Sequence, residues 1–104
     1  MRPVGLGDLS AAAGVLMAAP EGAREGLMRA MLHEAERADA FRRVSGRYHP
    51  GLGNGTLMAA ALARGRAPRA EPGDPLWLEC LALALEAVIA HRCARSACGG
   101  DGGR

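Results

Sequence analysis

PEGAREGLMRAMLHEAERADAFRRVSG, residues 20–46, is the stretch that decides the fold. After the adjacent pair Leu27 and Met28, the apolar positions Met31, Ala35, Ala38 and Phe41 recur at steps of three and four. Arg29, His33, Glu36, Arg37 and Arg43 take most of the remaining circumference. Side chains advance about 100° per residue in a helix, so this spacing collects one apolar stripe and predicts an amphipathic helix over about 20–45. Pro20 suits the first turn, where a missing N–H costs nothing. Gly46 is a candidate C-cap, because glycine takes the left-handed conformation freely.

Working outward, DLSAAAGVLMAA (8–19) predicts a preceding helix capped by Asp8 or Ser10, with Leu9, Ala13, Leu16 and Met17 facing inward. LMAAALAR (57–64) predicts a short helix capped by Asn54 or Thr56 and ended by Gly65. RAPRAEPGD (66–74) reads as an extended linker. Asp74-Pro75 then pairs a capping residue with proline at the first helical position, starting a helix from 75 to about 92. With 104 residues and only Phe41, Tyr48 and Trp77 as aromatics, the chain forms one domain with a thin core of Leu, Met, Ala and Val. The expected fold is all-α: a compact bundle of about four helices over residues 1–92, with a flexible, disordered Gly-rich tail over 93–104.

The fourth helix differs from the others. WLECLALALEAVIA carries only Glu79 and Glu86 as charged groups, and the rest of its circumference is apolar. Such a girdle fits a helix in the middle of a bundle or one packed on another copy of the chain. Trp77, Leu81, Leu85 and Val88 are the oligomerisation candidates, and a homo-oligomer is expected.

The formal charge of +2 is unevenly spread. Residues 1–36 hold three Arg against five acids, residues 37–69 hold seven Arg against Asp39 alone, and residues 70–104 hold three Arg against five acids. A basic middle between acidic ends can guide an anionic partner or pair neighbouring subunits head to tail. Arg37, Arg42, Arg43 and Arg47 run off the second helix, while Arg64, Arg66 and Arg69 follow the third. If those ends lie side by side they form one patch suited to phosphate backbones, with an ordinary solvated face as the equal alternative. No helix-turn-helix corner precedes either group, which argues against sequence-specific reading of DNA.

The chemistry-bearing residues form no recognised constellation. His91, Cys93 and Cys98 lack the fourth, closely spaced ligand of a structural zinc site, so no metal and no cofactor is expected. His33-Glu34 opens like a zincin motif, but Arg37 stands where the second histidine belongs. In RYHPGLGNGT (47–56), Tyr48, His49, Asn54 and Thr56 gather polar groups without a nucleophile, and no strand precedes the glycines. A structural hinge is the favoured reading of that loop, with a binding surface second and catalysis last. The chain is accordingly read as non-enzymatic. No apolar run approaches the roughly 20 residues that span a bilayer, no signal peptide opens the chain, and three cysteines suit reduced thiols, so no membrane partner and a cytoplasmic location are expected.

EAERAD (34–39), HPGLGNGTLMAAALA (49–63) and DPLWLECLALALEA (74–87) together resemble a family of short alphaproteobacterial proteins at the start of gene-transfer-agent clusters, beside the large terminase gene. That family looks like small terminases, the DNA-packaging adaptors of tailed-phage-like particles. The resemblance covers roughly residues 3 to 92. It implies a helical core that self-assembles, engages duplex DNA and recruits the large terminase subunit. Leu81, Leu85 and Val88 would then serve assembly, while Arg42, Arg43, Arg47, Arg64 and Arg66 would face DNA. The chain departs from phage small terminases in having no room for a separate N-terminal DNA-binding domain. Weak, nonspecific DNA binding is the matching expectation. A homo-oligomeric interaction module with no DNA role is the alternative.

Overall fold

The structure, a computed structural model, describes residues 1–64 and 73–100, with side chains assigned through Ala94. It is the all-α bundle that the apolar spacing predicts: α1 (Leu6–Met17), a 3-10 turn (Glu21–Ala23) leading into α2 (Arg24–Ser45), α3 (Leu57–Leu62) and α4 (Pro75–Gly100). The expected linker falls mostly on residues outside those described, as do Arg66, Arg69 and residues 101–104.

The starts of α1, α3 and α4 each show which polar atom meets the amides there. α1 begins at Leu6, two residues earlier than the spacing suggests, because Asp8 acts from inside the first turn. Its Oδ2 accepts from the Gly5 amide at 2.8 Å. Its other oxygen accepts from the Met58 amide at 2.9 Å, which ties the start of α1 to the start of α3. The Thr56 hydroxyl oxygen caps α3 by accepting from the Ala59 amide at 3.1 Å. Asp74 caps α4 by accepting from the Leu76 amide at 2.9 Å, with Pro75 at the first helical position as expected. α2 closes on Gly46, at φ 75°, with Arg42 and Arg43 in its last turn where the helix dipole favours cations.

α1 packs on α3 and α4, and α2 packs on the same pair. The core joins Ala12, Ala13 and Leu16 of α1 to Met28, Met31, Leu32 and Ala35 of α2. Leu57, Ala60 and Ala61 of α3 and Cys80, Ala84 and Val88 of α4 complete it. Small residues on α1, including the buried Gly14, let the helices approach closely. Arg24 Nε donates to the Leu16 carbonyl at 2.9 Å, holding the corner between α1 and α2.

Two expectations change here. Spacing puts Phe41 on the apolar stripe of α2, but it is 38% exposed. The final turns of α2 carry it past the core, and its ring turns instead toward His49, centroids 5.0 Å apart. α4 also continues beyond residue 92, to Gly100. No proline or glycine interrupts the chain between Pro75 and Gly99, and a 26-residue helix of about 39 Å nearly matches the 42 Å longest dimension of the molecule.

Candidate functional site

The outer face of α4 is the most unusual surface. Its inward side is Cys80, Ala84 and Val88. Opposite them lie Leu78, Ala82, Leu85 and Ile89, all exposed, at successive steps of four, three and four. The three large members are 48%, 46% and 53% exposed. That is the spacing of a coiled-coil seam, and the seam is bare. Exposed Glu79 and Glu86 run along one side of it. Of the four oligomerisation candidates, only Leu85 lies on this face. Val88 is 6% exposed and belongs to the core, and Trp77 and Leu81 pack half-buried against that core.

Among the described residues, the arginines divide between two acidic partners on α2. Asp39, buried on α2, is bracketed by Arg42 at 2.8 Å and Arg43 at 3.4 Å, and it also takes the Met1 ammonium at 3.1 Å. Burial pushes the Asp39 carboxyl up, but the Arg42 hydrogen bonds, the ammonium and Arg43 outweigh it, and its pKa is lowered. Arg64, at the end of α3, pairs instead with Glu34. Since Glu34 precedes Arg42 by eight residues, Arg64 lies roughly 12 Å from the Arg42 pair along the α2 axis, while Arg66 and Arg69 fall outside the described residues. Arg37 and Arg47 are exposed and take part in no ion pair among the described residues.

The 47–56 loop is built as a brace. His49 and Gly53 exchange both backbone hydrogen bonds, at 2.9 and 3.1 Å. The His49 ring Nδ1 accepts from the amides of Gly51 and Leu52, each at 3.0 Å. Asn54 Oδ1 accepts from both the amide and the hydroxyl of Thr56. Gly55 lies flat against α2, and its carbonyl accepts from the Arg2 amide at 2.9 Å. The Nδ1 lone pair of His49 is therefore committed to holding the turn and does not point at a reactant.

His33 and His91 meet edge to face across α2 and α4, with ring centroids 6.4 Å apart, and His91 Nε2 lies 2.7 Å from Glu36 Oε2. His33 is exposed, as expected. Beside them opens a groove of about 430 Å³, floored by Leu32 and Leu83 and rimmed by Glu25, Arg29 and Glu86. Among the described residues no three His, Cys, Asp or Glu side chains converge as metal ligands. Cys80 is a buried free thiol whose pKa is raised by burial, with Glu79 and Asp74 adding to the rise and Arg24 opposing it. Cys93 is an exposed free thiol. No helix of the described residues is long and apolar enough to cross a membrane.

Residues 2–88 match the family model described as Domain of unknown function (DUF7742). The chain belongs to this family. The match takes in α1, α2, α3, the loop brace and most of the α4 seam. No curated protein and no solved structure matches the chain. The two features that spacing alone did not reveal are the phase of α4 and the closure of Arg42 and Arg43 on Asp39. The second had a readable signal, since an acid followed at three and four residues by arginines is an ion-pair pattern on a helix.

Proposed function

We propose that this chain is a non-enzymatic, self-assembling adaptor of the small-terminase kind, acting in the cytoplasm to recruit a large terminase motor and to hold duplex DNA weakly and without sequence preference. The observation that carries the reading is the bare seam on α4. A monomer of this size has little to gain from three large aliphatic side chains in a row on an outward face. Covering the exposed half of each contributes about 1 kcal/mol per side chain toward assembly. The sequence resemblance supports the packaging role. Exposed Arg37 and Arg47 take part in no ion pair among the described residues and supply cations for phosphates, and Arg43, 3.4 Å from Asp39, keeps its side chain 57% exposed beside them.

A specific observation favours a second reading, a homo-oligomeric interaction module with no DNA role. Arg42, Arg43 and Arg64, three of the candidate DNA contacts, are already held by Asp39 and Glu34. The test is solution mass by light scattering, joined to duplex retardation at graded salt. The adaptor reading expects a discrete multi-subunit species that retards DNA. The logarithm of affinity should fall with the logarithm of salt at a slope of about −3 if three arginines meet phosphates. The Arg37→Ala, Arg43→Ala, Arg47→Ala triple variant should lose retardation. Assembly without retardation at low salt selects the module reading, and a monomer at high concentration defeats both.

A further inference from the structure

A seam needs something to cover it, and a second exposed apolar surface lies on α2. Val44 is 90% exposed, Phe41 and Tyr48 are exposed with it, and Arg37 precedes them on the same face. Arg37, Phe41 and Val44 follow steps of four and three, the interval of Leu78, Ala82 and Leu85, and exposed Tyr48 follows after the left-handed Gly46 that ends the helix. Resting on the assembly reading above, we infer that the α4 seam of one copy docks onto this α2 face of a second copy, so that subunits join head to tail.

Charge selects this arrangement over seam against seam. Glu79 and Glu86 flank the seam, while exposed Arg37 lies on the α2 face and exposed Arg47 follows the end of its helix, so opposite signs meet across the contact. Two seams laid antiparallel bring those glutamates against their own counterparts. Laid parallel, they set them beside the inward-packed Leu81 and Val88, which offer no cation. The geometry also keeps the two faces from meeting within one molecule. Arg24 lies near Cys80, and Glu36 touches His91, so α2 and α4 run parallel. The α2 face is centred roughly 20 Å further along the shared axis than the seam. A pair of unlike faces at opposite ends is a heterologous interface, in which every docked copy offers a fresh face to the next.

The test uses two full-length variants, Leu85→Glu on the seam and Val44→Glu on the α2 face, with mass from sedimentation velocity and folding from circular dichroism. Each variant alone is expected to be folded and to assemble at least tenfold more weakly than the parent. An equimolar mixture should form a one-to-one heterodimer and stop there, because each partner keeps the face the other lacks. If Leu85→Glu dissociates while Val44→Glu assembles like the parent, the seam pairs with itself and the inference is overturned, although the assembly reading survives. A monomeric parent defeats that reading instead. Should either variant misfold, Glu79→Arg with Glu86→Arg and Arg37→Glu with Arg47→Glu replace them. Each pair is expected to weaken assembly and their mixture to restore it, and a mixture no better than either component rejects the proposal.

Discussion

Replacing Gly55 by alanine tests whether the loop brace is as tightly fitted as its geometry indicates. Gly55 has φ +90°, a region that costs an L-residue roughly 1–3 kcal/mol. A methyl group there also lies 2.9 Å from Cα and Cβ of Asp39 and 3.1 Å from its Oδ1. Carbon atoms rest at about 3.5–4.0 Å, so the loop must retreat from α2 by more than half an ångström. That retreat strains the Arg2–Gly55 hydrogen bond and the packing around Asp39, an overpacking cost of about 1–3 kcal/mol. The expected loss is therefore about 4 kcal/mol, a large share of the stability of a domain this size. Gly46→Ala provides the control. Gly46 is also left-handed, at φ 75°, but nothing lies within 4 Å of its added methyl, so only the conformational cost of about 1–2 kcal/mol applies. Urea unfolding followed by circular dichroism at one fixed protein concentration measures both, since assembly otherwise shifts the midpoint. Equal losses within about 0.5 kcal/mol would show that the contact with α2 carries no energy, and the brace reading would fall.

Thr56→Ala should cost about 1 kcal/mol in the same assay, because it strips the cap from a six-residue helix; no loss would show that Asn54 or water takes over. Asp39→Asn should destabilise the protein near neutral pH, by an amount that shrinks on acidification. The pKa of folded Asp39 lies below its ordinary value near 4, so its contribution is complete above about pH 4 and is lost as pH falls through the lowered value. A difference between variant and parent that stays constant from pH 7 to pH 2 would contradict that assignment. Val88→Ala should cost about 2 kcal/mol of folding stability, whereas Leu85→Ala should leave the monomer within about 0.5 kcal/mol and weaken assembly instead. Reversed effects would mean that α4 is rotated from the phase described. Mass spectrometry after brief alkylation should find Cys93 modified and Cys80 protected, and rapid labelling of Cys80 would show that the core opens.

Much of the fold was legible because it depends on local rules. The 3.6-residue period of α2, the glycine that ends it and the Asp74-Pro75 start of α4 each record a short-range requirement. Errors arose where a distant contact sets the answer. Asp8 reads as a cap, but it works from the third helical position and also binds Met58, fifty residues away, which moves α1 two residues earlier. Phe41 fits the stripe of α2 by spacing alone. Spacing does not reveal that the bundle ends before α2 does, which leaves Phe41 to pack on His49.

The functional surface was less legible, for a reason particular to α4. A helix that is apolar nearly all round carries no phase in its sequence, because burial of any side satisfies the pattern. The phase comes from α1 and α2, which take Ala84 and Val88 and leave Leu85 outside. The arginines pose the complementary problem. The net charge of +6 over residues 37–69 counts ions without their partners, and three of those cations are held by Asp39 and Glu34. Among the described residues Arg37 and Arg47 remain, and they border the α2 face proposed to receive a neighbouring subunit. DNA and a second copy would then draw on the same cations, and by linkage each would weaken the other by an equal factor. Only the subunit also uses Phe41, Val44 and Tyr48, whose burial resists salt. Raising salt should therefore shift the balance from DNA toward assembly, and a charge placed at Val44 should shift it back.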